Sequence, residues 1–388
     1  MKLRLVISTA VLLLSVGMSQ AAKPEFRAIQ VHTWIPGMLS QKEIDETVQW
    51  AKDANMNVLI MQARRVGDAY YDSAYEPRAS NIDPDPSFDP LGYSIKKGHE
   101  NGLEVHAWFN VYRSWSTIKK PADPDHIVNQ HPEWINKDFT GSSANGDGLF
   151  LDPGAPGVRE YMVKLTGDIV SKYDVDGFML DFVRYPGKTW GYSDSALAAF
   201  NATYRHTGRP SPNDVLWSRW RREQVTETVR AMYAEVNRLK PWVKFSAATI
   251  PWGPCQSDFI KTDAYAEVFQ DWQRWMREGI LDINMPMNYK NPADSRQQGW
   301  YTDWLVGMKK WSYGRPAYST IMVFRNDVAG AAEQVRLAQE RGMPGVAGFA
   351  FSQTDCRAEL AAKLKATVFK EPVSVPTLPW KAKKPSGN

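Results

Sequence analysis

Apolar residues along this chain gather into eight short runs, each closing on polar or aromatic residues. They are residues 28–34 (AIQVHTW), 57–64 (NVLIMQAR), 103–113 (LEVHAWFNVYR), 175–186 (VDGFMLDFVRYP), 243–249 (VKFSAAT), 282–289 (DINMPMNY), 317–324 (AYSTIMVF) and 345–351 (GVAGFAF). Between them lie stretches with helical periodicity. Examples are SQKEIDETVQWAKDAN, which opens on a serine cap at Ser40, GVREYMVKLTGDIVSKYD, and WRREQVTETVRAMYAEVNRLK. Strands alternating with helices predict parallel βαβ units. Eight of them in about 350 residues predict an α/β fold of the (β/α)8 TIM-barrel type, a single domain over residues 26–370 with loop insertions. The competing architecture is an open doubly wound sheet. It would place a glycine-rich phosphate turn after the first strand, and HTWIPGM is not one. Residues 371–388, rich in Pro, Lys and small residues, read as a flexible tail.

In a barrel of this kind, chemistry sits where the strands finish. Asp181 stands at such an end. Asp176 and Asp282 open their strands, belong to the opposite face, and read as turn or capping residues. Collected at the finishing ends are His32 and Trp34, Gln62 and Arg64, Trp108, Asn110, Tyr112 and Arg113, Asp181 and Arg184, Thr249 and Trp252, Asn288 and Tyr289, and Ser352, Gln353 and Asp355. Amides, arginines and tyrosines bind hydroxyl groups, and tryptophans offer flat faces, so carbohydrate is the economical ligand. Trp34, Trp108 and Trp252 are expected to form sugar-stacking walls.

Glycoside cleavage needs two carboxyl groups flanking the scissile bond. Asp181 is the first. For the second, Glu223 is expected near the start of a long helix, where the helix end, Arg221 and Arg222 would favour its ionised form. Asp271 and Asp355 are the other candidates. The histidines show no H-E-x-x-H pattern. A metal site would require His32, His106 and Asp181 to converge, so neither a metal nor another cofactor is expected.

Composition narrows the partners. The 388 residues carry 16 tryptophans and a net charge of only +4, with no basic and aromatic nucleic-acid motif. Residues 1–21 have a charged start at Lys2 and Arg4, a short apolar run, and small residues at Ser19 and Ala21. They read as an export signal cut after Ala21, with the mature chain periplasmic or extracellular and without a membrane span. Cys255 and Cys356 could form one disulfide in that setting.

Seven stretches together resemble a known family. They are QARRVGDAYYDS, FDPLGYSIKKGHENGLEVHAWFNVYR, HPEWI, DPGAPGVREYM, DVDGFMLDFVRYP, WRREQVTETVRAMYAEVNRLKPWVKF and DWQRWMREGILDINMPMNY. In this order they resemble glycosyl-hydrolase-like family ten, exported bacterial barrels, from about residue 26 to 351. The resemblance implies a (β/α)8 barrel and glycosidase chemistry, in some members on cell-wall glycan strands stripped of peptide. It places the family's strand-four acid on Asp181 and its W-R-R-acid motif on Trp220, Arg221, Arg222 and Glu223. Arg64 and Asn110 match its second- and third-strand motifs. Two positions depart from the pattern: Phe182 stands where a second acid often follows Asp181, and Val111 where proline often follows Asn110. The expected activity is a secreted glycoside hydrolase acting on peptidoglycan or another polysaccharide, with Asp181 as nucleophile or charge stabiliser and Glu223 as partner acid. The alternatives are a carbohydrate-binding barrel without turnover and a metal-dependent hydrolase or deacetylase.

Overall fold

The computed structural model describes residues 23–323, 326–351 and 356–385. The expected export signal and the expected mouth residues Ser352, Gln353 and Asp355 lie outside the described residues.

Eight parallel strands form a nearly closed barrel: β1 (Phe26–Val31), β2 (Val58–Arg64), β3 (Glu104–Asn110), β4 (Gly177–Asp181), β5 (Lys244–Thr249), β6 (Ile283–Pro286), β7 (Ser319–Met322) and β8 (Gly345–Phe349). They pair in chain order, and β8 returns to β1 with Phe26 opposite Gly345. The β6–β7 seam is narrower, held by bridges at Asn284–Ala317 and Met287–Thr320. Principal helices ring it: α1 (Gln41–Asp53), α2 (Pro90–Glu100), α3 (Val158–Lys172), α4 (Val215–Leu239), α5 (Trp272–Glu278), α6 (Ser295–Lys310), α7 (Val328–Glu340) and α8 (Arg357–Thr367). Among the described residues no helix is long and apolar enough to cross a membrane.

Strand alternation divides the core in two. Leu59, Val105, Phe109, Phe178 and Phe245 point outward and pack under the helices. Ile60, Trp108, Met179, Met285 and Tyr318 fill the barrel interior. One glycine is required by this packing. A Cβ on Gly177 would sit 2.3 Å from His106 Nδ1, so only glycine lets the imidazole lie inside the barrel.

The tail, expected to be flexible, instead runs along the barrel's N-terminal end. Arg27 Nη1 donates to the Glu371 carbonyl (2.7 Å) and Glu25 N to Ser374 O (3.1 Å). Leu378 enters the interior core from below. Trp380 Nε1 donates to Asp282 Oδ1 (2.7 Å), Lys381 pairs with Asp282 (2.8 Å), and Lys384 pairs with Asp174 and Asp176 (both 2.9 Å). The acids that open strands β4 and β6 are thus used to fasten the chain's end. Cys255 and Cys356 are both free thiols.

Candidate active site

The strand ends enclose a cavity of about 220 Å3, lined by Gln30, Trp34, Trp108, Asp181, Phe182, Arg184, Ala248, Ile250, Trp252, Met287, Tyr289 and Phe349. Asp181 ends β4 in phase with Met179, so its side chain points inward, where it is 7% exposed. Phe182 follows in a left-handed conformation (φ 49°), rarely adopted by a bulky residue. That turn brings the Phe182 N–H to Asp181 Oδ1 (2.7 Å), while Trp108 Nε1 donates to Oδ2 (3.2 Å). Burial pushes the Asp181 carboxyl above its ordinary pKa. The Phe182 N–H, Arg184, the Trp108 indole and Arg113 pull the other way and do not offset the loss of water.

The aromatic walls divide as solvent exposure dictates. Trp34 (41% exposed) and Trp252 (42%) stand open at the mouth. Trp108 is 2% exposed, so the third expected wall is instead part of the floor and orients Asp181. Tyr289 stacks on Phe349 at 5.4 Å. Its hydroxyl is held protonated, first by burial and then by the charge of Asp181. His32 is buried beside the mouth, 4.5 Å from the Trp34 ring.

Several expected ligand-binding residues are turned into the framework. Arg64 is fully buried and bonds Glu76 through Nε and Nη2 at 2.7–3.0 Å. Tyr161 completes this group by donating to Glu76 Oε1 (3.1 Å). Gln62 accepts from Thr33 N (3.0 Å) and Oγ1 (2.9 Å), Asn110 donates to Arg65 O (2.7 Å), and Asn288 donates to Tyr301 O (3.1 Å). Tyr112 is buried in the outer core. Arg222 covers the Tyr265 ring at 4.0 Å. None of these lines the cavity.

Glu223 is also elsewhere. Helix α4 begins at Val215, capped by Asp214, so Glu223 sits in its third turn rather than at its start. It forms a two-pronged pair with Arg274 (2.6 and 3.2 Å), which lowers its pKa. Asp271 caps α5 by accepting from Arg274 N (3.2 Å). Among the described residues no three His, Cys, Asp or Glu side chains group as a metal site requires. His106 pairs in register with Gly177, four residues before Asp181. It therefore lies ~13 Å along the strand from that carboxylate.

Two further charged residues, Arg113 and Asp147, stand near the cavity without lining it. Arg113 opens a short antiparallel ladder, Arg113–Trp115 with Leu149–Phe150, and its Nε donates to Asp147 O (2.6 Å). Gly148 makes this rim possible: its φ is +99°, and a Cβ there would lie 2.0 Å from Trp115 O. The exposed Asp147 carboxylate acts through space on both Arg113 and Arg184, as Asp181 does. Asp147 escaped the sequence reading because it lies in a polar loop without periodicity. The ladder with its aromatic and charged residues was the available signal.

Comparison with known proteins agrees with the barrel fold. The family model described as Glycosyl hydrolase-like 10 matches residues 25–304. The chain is 28% identical over 354 residues to Glycosyl hydrolase YngK of Bacillus subtilis, covering 84% of this chain and 66% of that protein. It is 27% identical over 274 residues to Glycosyl hydrolase DigH of Escherichia coli K12, covering 65% and 58%. It therefore spans under two thirds of the length of either relative. The fold matches the PgaB (BpsB) glycoside hydrolase domain from Bordetella bronchiseptica, with TM-score 0.63, 13% identity, and 91% and 100% of the two chains covered. It also matches the catalytic domain of beta-amylase from Paenibacillus polymyxa, with TM-score 0.62, 11% identity, and 90% and 99% covered.

Proposed function

Because the chain belongs to the Glycosyl hydrolase-like 10 family, we propose that it cleaves O-glycosidic bonds in a polysaccharide, with peptide-free bacterial cell-wall strands the first substrate to test. The observation that carries this reading is Asp181, a carboxyl group with a raised pKa on the floor of an aromatic-walled cavity. A buried carboxyl that holds its proton more tightly than an exposed one is suited to general-acid work. The raised pKa favours that role over the nucleophilic or charge-stabilising one expected from sequence.

In this mechanism Trp34 and Trp252 hold the faces of the sugars on either side of the opening, while Gln30 and Tyr289 meet hydroxyl groups. Asp181 gives its proton to the glycosidic oxygen as the C1–O bond breaks, and the leaving sugar departs with a new hydroxyl. Asp147, on the rim beyond the Arg113–Arg184 pair, takes a proton from the water that bonds to C1. One water is consumed and solvent restores both carboxyl groups. A carboxyl pair with room for that water inverts the anomeric configuration, and such pairs are set ~6.5–9.5 Å apart. The export signal expected at residues 1–21 would put the enzyme with a substrate outside the cytoplasm.

The test is to incubate the purified protein with peptide-free glycan strands and a panel of neutral and acidic polysaccharides. Products are weighed by mass spectrometry and their anomers read by NMR before they equilibrate. New reducing ends of inverted configuration are expected. Binding without any product would leave a carbohydrate-binding barrel, and retained configuration would make Asp181 the nucleophile.

A further inference from the structure

Among the described residues, three of the four buried arginines are held chiefly by several protein oxygens. Arg27 holds Glu25, Arg64 holds Glu76, and Arg221 donates to the carbonyls of Lys188, Trp190 and Pro212. Arg184 is 8% exposed and lines the cavity, yet among the described residues its guanidinium has one hydrogen-bond partner, its neighbour's carbonyl Tyr185 O (3.2 Å). A guanidinium carries five N–H donors, and those of Arg184 without a protein acceptor are not sealed in the core but left to the cavity that the residue lines. No hydrogen bond or ion pair joins Arg184 to Asp181, whose oxygens accept from Phe182 N and the Trp108 indole.

A second cation stands beside it. The guanidinium carbons of Arg113 and Arg184 lie 5.3 and 5.2 Å from the centroid of the same Phe182 ring. Arg184 also lies 5.5 Å from the Trp252 ring, the exposed face assigned to sugar stacking. Arg113 spends Nε on Asp147 O and, among the described residues, has no ion-pair partner for its terminal nitrogens. Two guanidinium groups thus share one aromatic ring of the cavity wall, and Arg184 lines the cavity itself. Planar N–H forks of this kind match a carboxylate.

We propose that Arg184, assisted by Arg113, binds a carboxylate carried by the glycan, so that the substrate is an acidic polysaccharide rather than a neutral one. This rests on the carbohydrate-cleaving reading and adds the substrate's charge. The carboxylate comes either from a uronic acid or from an acid linked by an ether to an amino sugar, and the two present the same group to the arginines.

The test separates recognition from turnover by using Asp181→Asn protein in calorimetry. The probes are oligosaccharides of peptide-free cell-wall strands, the same with carboxylates amidated by carbodiimide, oligouronates, and the same reduced to neutral sugars. At least one acid probe is expected to bind ~10-fold or more tightly than its neutralised form, the loss associated with charge-assisted hydrogen bonds. Which pair shows the difference identifies the source. Arg184→Gln in the same background is expected to bind acid and neutralised probes alike. Equal affinity for each pair, no binding of any of the four, or an undiminished preference in folded Arg184→Gln protein overturns the inference. The first comparison needs no change at Arg184, so it stands even where that variant does not fold. Acid preference without cleavage by the native protein would sink the hydrolase reading alone. Cleavage of neutral and acidic strands with equal efficiency would sink this inference alone.

Discussion

Glu76→Gln is expected to destabilise the protein sharply while sparing the mouth. The Arg64–Glu76 pair is completely buried, with three contacts at 2.7–3.0 Å and the Tyr161 hydroxyl as a further donor. Glutamine keeps the volume but replaces one acceptor oxygen by an N–H group facing guanidinium N–H groups, and leaves a cation buried without its counter-charge. Breaking a buried pair by removing one partner costs about 3–5 kcal/mol. With an unfolding entropy of about 2.1 cal/mol/K per residue over about 350 ordered residues, one degree corresponds to ~0.7 kcal/mol, so Tm falls by ~4–7 °C. Differential scanning calorimetry reads this directly, and glycan affinity of the folded variant below its transition should be unchanged. A Tm within a degree of the native value, with affinity lost, would refute the argument and return Arg64 to the substrate.

Other perturbations discriminate roles at the mouth. Asp147→Asn should slow hydrolysis at least ~100-fold without lowering Tm if it activates water, whereas Glu223→Gln, which breaks only the Arg274 pair, should turn over near the native rate. The reverse result assigns the second carboxyl to Glu223. Trp34→Ala and Trp252→Ala should weaken glycan binding with little change in Tm, but Trp108→Ala should cost roughly 3–5 kcal/mol of stability. Isothermal binding and melting on the same samples separate these. Asp181 has a raised folded pKa, so the folded state holds its proton more tightly. That stabilisation is full below the ordinary aspartate value of about 3.9 and is lost as pH rises through the raised value. Asp181→Asn, which carries no such titration, should therefore gain Tm relative to the native protein as pH rises across that window, and a constant difference would contradict the shift.

The barrel was legible because eight apolar runs alternate with helical stretches, and burial on both faces leaves parallel strands apolar. Asp181 was legible for the same reason, since it shares the inward phase of Gly177 and Met179. Arg64 shares the phase of Val58, Ile60 and Gln62, which would point it inward. A register shift between Gln62 and Arg64 breaks the alternation. The arginine then crosses to the outer core, 5.2 Å from the Phe109 ring. No composition signal marks that bulge. Glu223 was misplaced by the helix boundary, because the chain enters α4 at Val215, more than a turn before the W-R-R-acid motif begins at Trp220. The tail looked disordered by composition, yet Leu378 and Trp380 supply the apolar contact and Lys381 and Lys384 the charges that fasten it. Such long-range pairings leave no local pattern.

Asp181 is the proton donor of the proposed hydrolase. The most direct measurement compares native and Asp181→Asn protein on peptide-free glycan strands, counting new reducing ends over time and recording Tm on the same preparations. Cleavage by the native protein is expected, with loss of at least ~100-fold in the variant and a folded variant that still binds the strands. A variant that cleaves at the native rate, or one that loses activity only because it fails to fold, would contradict that role.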